Sequence, residues 1–325
     1  MVDSAEDYVM SSAFIQLPRW AFECNLHKLI AVLGSADEAE SIRIDFGAVQ
    51  YYIPCAILSI VAKIKTWDSL HKKWEFINFE QNPVSRYFQR MEFCSVLGWE
   101  LKEEFSRRLG SEDFVPIARV PSLEQDVAGI STRLASCIEP AQGELFRLLQ
   151  FSSSEIILNA KQHAAGEGFV SGQYAPAKRL ARIGVADCGI GIRNSFKYND
   201  SRHYRPEMSE LDALLLALQP RVSSTNHRPS MYGHSANFGV GLSMMRQLMA
   251  QSLGFMVLIS GDSWWYQESQ KSPQYGAFPG HLRFDGTICG VAFQRDQIDN
   301  YPLMLKAARI ALGLQEPDDL DNIFI

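Results

Sequence analysis

The chain has 325 residues, 46% of them hydrophobic and 21% charged, which is typical of a soluble globular protein long enough for two domains. The net charge of -6 argues against nucleic acid as an obligate partner, although a local basic patch stays compatible with it. The chain has no run of about 18 apolar residues, no signal-peptide pattern at its start and no CxxC pair among its six cysteines, so we expect a cytoplasmic protein without a membrane partner, disulfide framework or zinc cluster.

Strand and helix patterns alternate through the first third of the chain. Residues 41–49 and 74–79 show the period of half-buried strands, whereas residues 22–30 and 57–64 carry apolar side chains at helical spacing. Strands that alternate with helices of this length are typical of parallel pairing. We therefore predict a small α/β domain over residues 1–110.

Part of this block, residues 41–99, resembles the STAS-like domains of bacterial partner-switching regulators. In those domains a strand ending in a pattern like FIDSSGL leads into a helix, and the corresponding stretch here is YIPCAIL, residues 52–58. The family's phosphorylatable serine falls on Cys55 or Ala56, neither of which has a hydroxyl group. The resemblance therefore implies a fold and an interaction surface, but no phosphorylation at this place.

A junction follows over residues 111–140, where three prolines punctuate the sequence and an amphipathic helix fits between the last two. We predict a linker or a connecting helix, and such a helix can also strap two copies into a homodimer. The sequence does not choose between these alternatives. A second domain is predicted over residues 141–312, and an acidic, apolar-ended tail over 313–325 is a candidate contact surface for an unidentified protein partner.

Within the second domain the apolar patterns predict a regular succession of elements. They are a helix from Gln142, a strand over 180–186, helices over 209–218 and 239–254, strands over 255–261 and 286–293, and a helix over 302–312. Ser209 is the expected N-cap of its helix. The stretch between the last two strands reads as a long loop, whose WWYQ sequence after Asp262 is a second candidate contact surface.

Three polar residues stand at four-residue steps on the first of these helices. Glu155, Asn159 and His163 therefore share one face, opposite an apolar face that would seat the helix on a core. An Asn carbonyl suits Mg²⁺, and a carboxylate one turn away can accept a proton from an attacking water. Taken alone, the same stripe also fits an ordinary solvated helix surface.

Three further motifs follow this helix. DCGIGI places Asp187, with Gly189 and Gly191, at the end of a strand, where the carboxylate can accept a hydrogen bond from an exocyclic amino group. GHSANFGVGL runs into a helix whose free amides can bind phosphate. Gly286 and Thr287 begin a late strand, from which the hydroxyl can reach a base directly or through water.

In this order the four motifs resemble the GHKL superfamily, which includes gyrase, heat-shock chaperones, sensor histidine kinases and anti-sigma serine kinases. The resemblance spans residues 143–295 and implies a Bergerat-type α/β sandwich, in which ATP lies between a mixed sheet and helices on one of its faces. It also implies a role for each matching residue. Glu155 would be the general base, Asn159 the Mg²⁺ ligand, Asp187 and Thr287 the adenine contacts, Gly189, Gly191 and Ile192 the base-binding turn, and Gly233, Gly239, Gly241 and Leu242 the phosphate loop beside an ATP lid over 221–238.

The sequence departs from the family pattern in two places. Histidine kinases carry a Lys at the position of Gln162, and His163 has two open readings, a phosphate contact or a helix-packing histidine. The lid contains no lysine, so a cation for the departing phosphate would come from Arg228, His234, Arg246 or a partner.

Three activities stay compatible with these residues: an ATPase that acts as a nucleotide-driven switch, a serine protein kinase of the anti-sigma type, and a nucleotide-dependent scaffold. Glu155 favours the ATPase, because hydrolysis requires a base directed at water. We therefore expect a Mg²⁺-dependent ATPase switch in a bacterial regulatory or defence system.

Overall fold

The computed structural model describes residues 11–99, 101, 114–121, 123, 125–163, 166–224 and 240–314. These residues build a three-stranded, a two-stranded and a seven-stranded sheet with their helices. In the described part of the chain, the apolar helices are all too short or too polar to cross a membrane.

The N-terminal unit is an α/β layer with parallel strands. Its strands are β1 (Ser12–Gln16), β2 (Trp20–Ala21), β3 (Ser41–Asp45), β4 (Tyr51–Tyr52) and β5 (Lys73–Ile77), and its helices are α1 (Leu26–Gly34), α2 (Pro54–Ser69), α3 (Ser85–Arg90) and α4 (Phe93–Val96). β1, β3 and β5 pair in parallel in that order, and β2 pairs with β4. The predicted parallel α/β arrangement is confirmed here.

The remaining residues form the seven-stranded sheet and its helices. The strands are β6 (Phe114–Arg119), β7 (Gly168–Ala175), β8 (Leu180–Asp187), β9 (Phe255–Gly261), β10 (Ser263–Glu268), β11 (Gln274–Ala277) and β12 (Phe284–Gln294). The helices are α5 (Gln125–Ile138), α6 (Glu144–His163), α7 (Gly191–Tyr198), α8 (Glu210–Ala217), α9 (Gly241–Gln251) and α10 (Tyr301–Ala311). Ser209 caps α8 as predicted, since its hydroxyl accepts the Asp212 amide at 3.0 Å.

The sheet order is β11-β10-β9-β12-β8-β7-β6, and every described pair is antiparallel. The expectation of a mixed sheet is therefore wrong. Short turns join β7 to β8, β9 to β10 and β10 to β11, and two strands joined by a short turn run antiparallel. The segment predicted as a junction, 111–140, supplies the edge strand β6 and the helix α5, which packs on α6.

The stretch predicted as a long loop contains β10 and β11 instead. Gly261 has a φ of +59° and begins the turn that returns the chain along β9. Trp265 and Tyr266 are consequently buried, and Trp264 stacks on His27 of α1 with 4.2 Å between ring centroids. WWYQ is thus an internal strand and not an exposed contact surface.

Both faces of the seven-stranded sheet are buried. Ala186, Ile259 and Ile288 belong to a core shared with the N-terminal unit, whereas their neighbours Val185 and Leu258 pack under α6 and α9. Alternate residues of a strand point to opposite faces of the sheet. When both faces are buried, consecutive residues of each strand are therefore apolar. The second face of the sheet is covered by α2 of the N-terminal unit.

A notch in the sheet receives the start of α2. Gly184 and Gly290 are direct cross-strand partners, and a Cβ on either would lie 2.9 Å from atoms of Cys55. Beside the notch, a buried ion pair joins Arg182 to Glu23 at 2.7 Å. The position that corresponds to the STAS-family serine is thus packed against the chain's own sheet.

Candidate nucleotide-binding site

A cavity lies between α6, α7 and α9 on one side and β8, β9 and β12 on the other. It provides about 100 Å³ of space, several times what one buried water needs. The predicted site residues that line it are Asn159, Asp187, Gly191, Ile192, Gly241, Leu242 and Thr287. Four separate stretches of the sequence therefore meet at one cavity.

Asp187 ends β8 at the floor of this cavity and is 2% exposed. Its Oδ1 accepts the backbone amides of Gly189 at 2.9 Å and Thr287 at 3.1 Å. No described residue donates to its Oδ2. Burial raises the pKa of Asp187 to about 7, against the lowering effect of the two amide hydrogen bonds. The carboxylate is thus fixed through one oxygen and offers the other to a ligand donor.

Ser260 holds the turn after Asp187 in place. Its Oγ accepts the Ile192 amide at 2.8 Å and donates to the Gly286 carbonyl at 3.1 Å, so it joins the start of α7 to β12. Gly191 has a φ of +75°, and a Cβ there would lie 2.9 Å from Ser260 Oγ. Ser260 was not predicted as a site residue. Its signal in the sequence is a polar residue that closes the apolar run FMVLIS.

At the other end of the cavity, Glu155 and Asn159 of α6 meet Gly241, the first residue of α9. A Cβ on Gly241 would overlap Glu155 Oε2 and lie 3.7 Å from Asn159 Nδ2. Burial raises the pKa of Glu155 to about 7. The amides of a helix start attract anions, so a carboxylate, a carboxamide and backbone amides of this kind converge here.

The side-chain amide of Asn159 has unused bonding capacity. Its Nδ2 is buried and has no hydrogen-bond partner among the described residues. The two ends of a carboxamide are interchangeable in shape, so a half-turn presents Oδ1 to the same space. An oxygen there, with phosphate oxygens and waters, is a ligand set that Mg²⁺ accepts. The described residues contain no cluster of three His, Cys, Asp or Glu side chains that would hold a metal without such help.

Other predicted residues stand apart from the lining. Glu155 lies behind Gly241, and Gly189 acts on Asp187 through its backbone. Arg246 donates to Gln267 at 2.7 Å and lies over the Trp265 ring, so it is bound to β10 and does not supply the expected cation. The His163 side chain lies outside the described residues, as do Gly233, Gly239 and residues 225–238 of the lid.

The apolar walls of the cavity were not predicted from the sequence. Ile156 and Ala160 follow the polar residues along α6, and Leu258 and Cys289 project from the sheet. A flat ring would find apolar contacts on both sides and polar partners at its edge. Because strand residues of this kind look like any core residue, only the fold identifies them as lining.

The sequence matches no protein-family model, and the search of curated proteins finds no related sequence. The assignment of a function therefore rests on the geometry of the cavity.

Proposed function

We propose that the cavity binds ATP with Mg²⁺ and that the chain hydrolyses it, as the GHKL likeness of the motifs implies. One observation carries the proposal: a single cavity is lined by a buried carboxylate with a free oxygen and by the Asn159 carboxamide beside the start of α9, and Glu155 lies directly behind that helix start. A ligand with an amino-bearing base and a phosphate chain would use both sets of groups.

At the base end, Asp187 Oδ2 accepts a hydrogen bond from the exocyclic amino group of adenine. A base that presents a carbonyl oxygen there would meet a second acceptor, which is unfavourable in a buried site. Ile156 and Leu258 provide the apolar surfaces between which the ring lies. The backbone of Thr287 holds the carboxylate in position.

At the phosphate end, the first amides of α9 bind phosphate oxygens, and Asn159 holds Mg²⁺. The ion neutralises charge on the phosphates when it is bound. Glu155 accepts a proton from the attacking water, a step for which a carboxyl pKa near 7 is well matched at neutral pH.

The test compares two variants in ATP binding and in phosphate release. Asp187→Asn replaces the acceptor by an amide and should abolish binding, whereas Glu155→Ala should preserve binding and remove hydrolysis. Asp45→Asn is the matched control, because Asp45 is also a buried residue at the end of a strand and accepts an amide two residues on, from Gly47 at 2.8 Å, but does not line the cavity. Normal turnover in both site variants would refute the assignment.

A serine kinase of the anti-sigma type is the second candidate, since it would use the same Glu155 and Asn159. Cys55 is buried and has no hydroxyl, so this position cannot be the acceptor, and a separate protein is the candidate acceptor. Labelled γ-phosphate distinguishes the two activities: an ATPase releases free phosphate, and a kinase transfers the label to protein. A turnover rate unchanged by Glu155→Ala would instead favour a scaffold, and sizing with and without ATP tests the proposed homodimer.

A further inference from the structure

A second hollow lies in the N-terminal unit, at the carboxyl ends of its three parallel strands. It measures about 780 Å³ and is lined by Arg19 after β1, residues 47–50 after β3, and Asn78 with residues 81–84 after β5. Ligands of open parallel sheets bind at this end of the strands, where the loops converge.

The walls of the hollow are joined by side-chain hydrogen bonds. Asp45 Oδ1 accepts the Gly47 amide and Asn78 Nδ2, both at 2.8 Å. Asn82 Nδ2 donates to the carbonyls of Phe46 at 2.6 Å and Val49 at 3.0 Å, which ties the loop after β5 to the loop after β3. Asn78 has a φ of +58°, a left-handed conformation that the Asp45 contact helps to hold. The hollow is therefore preformed.

Three polar side chains at the rim of the hollow take no part in these hydrogen bonds. Arg19 lies over the Trp20 ring at 4.6 Å, and no described carboxylate pairs with its guanidinium. Gln50 and Gln81 are exposed, and their side-chain amides have no partner among the described residues. Among the described residues that line the hollow there is no Asp or Glu, so Arg19 carries the only formal charge in that set.

The geometry points to a binding site in this hollow for a small organic oxyanion, a carboxylate or phosphate carried on a polar body. The planar guanidinium of Arg19 can bind such a group through two parallel hydrogen bonds. The carboxamides supply donors and acceptors for hydroxyl or amine groups on the rest of the ligand.

A loop connects the hollow to the seven-stranded sheet. The loop that lines it continues into Tyr51, whose hydroxyl hydrogen-bonds with Gln173 of β7 at 3.0 Å. The chain then enters α2, where Cys55 fills the notch in the sheet. A ligand would thus contact the segment that joins the two halves of the protein.

The test uses the full chain with glutarate, citrate and glucose 6-phosphate as probes, and glutaramide and glucose as neutral counterparts that carry no carboxylate or phosphate. Calorimetry at probe concentrations up to roughly 10 mM detects a millimolar site. We expect saturable binding of at least one oxyanion and none of the neutral compounds. Arg19→Gln should weaken that binding about tenfold or more, in line with the loss of a charge-assisted bidentate contact, and Gln50→Ala should weaken it less.

Two controls separate this site from other surfaces. Arg43→Gln removes an equally exposed arginine that pairs with Glu75 on the open sheet face, and it should leave probe binding unchanged. Asp187→Asn should also leave it unchanged, so failure of the nucleotide proposal does not affect this one. Absence of binding by all three oxyanions, equal binding of the neutral counterparts, or full affinity in a folded Arg19→Gln protein would overturn the inference.

Discussion

The buried carboxyl group of Asp187 should make the ligand-free protein less stable as the pH rises toward about 7. Burial raises its pKa from the ordinary value of 3.8 to about 7. The folded state then binds the Asp187 proton more tightly than the unfolded chain does. Protonation of Asp187 therefore contributes its full stability to the folded state below about pH 4, and this contribution is lost as the pH rises to about 7. A difference of about three pKa units corresponds to about 4 kcal/mol in the free energy of unfolding.

Asp187→Asn removes this titration while keeping an oxygen for the amides of Gly189 and Thr287. Urea unfolding of nucleotide-free protein at about pH 5 and about pH 8 measures the effect. Between these values the wild-type protein should lose about 3 kcal/mol relative to the variant, because the carboxyl group ionises between them. Every other titrating group is present in both proteins, so the difference between them isolates Asp187.

The result that refutes the reasoning is a difference between the two proteins that does not change with pH. Asp187 would then titrate in the folded protein as it does in the unfolded chain, which is incompatible with a dry cavity floor. Saturating ATP and Mg²⁺ at about pH 8 should stabilise the wild-type protein by mass action and leave the variant unaffected. Equal stabilisation of both proteins would show that Asp187 does not contact the base.

Three more outcomes follow from the described contacts. ATP turnover should fall as the pH drops below about 7, because Glu155 must be ionised to accept a proton, and a rate independent of pH from about 6 to 8 would contradict its role as base. Gly290→Ala should destabilise the protein by about 1–3 kcal/mol, because the added methyl group would press against Cys55 Sγ. Cys55→Ala in the same chain should recover part of that loss in urea unfolding. Purely additive effects of the two changes would place the strain elsewhere. Ser260→Ala should lower the affinity for ATP more than that for ITP, which lacks the amino group. The control is Ser171→Ala, because Ser171 is another buried serine of the sheet that donates to a carbonyl. An equal loss of affinity for both nucleotides would mean that Ser260 only supports the fold.

Local patterns predicted the parts of the fold that local forces determine. The alternation of apolar residues gave β3, β5 and β8, and a hydroxyl before an apolar run gave the cap of α8. β7 was missed because GFVSGQYA carries two glycines and two polar residues, which weaken a strand pattern. It is a strand because β6 and β8 pair with it on both sides. The sequence of β7 alone does not indicate that these partners are there.

The same limit applies to the candidate site. Glu155, Asn159 and Asp187 stand out because a polar residue interrupts an apolar pattern at a meaningful spacing. Ser260 does not, because its function depends on Ile192 and Gly286, which are far from it in the sequence. The second hollow depends in the same way on loops that only the sheet brings together.

The strand β8 connects the two halves of the molecule to the cavity. Ile183, Val185 and Asp187 face the helices and the cavity, whereas Arg182, Gly184 and Ala186 face the N-terminal unit. The next residue, Cys188, donates from its thiol to the Ala62 carbonyl of α2 at 3.3 Å.

The position of the Asp187 carboxylate is therefore determined from both faces of the sheet. A change in the packing of α2 would move the strand that carries this carboxylate, and a buried acceptor tolerates little displacement before its hydrogen bond is lost. If the N-terminal unit regulates the proposed ATPase, β8 offers a direct connection, because it contacts α2 and ends at Asp187. A chain that lacks the N-terminal unit would instead expose the apolar face that contains Ala186, Ile259 and Ile288, so the proposed ATPase should require both halves to fold.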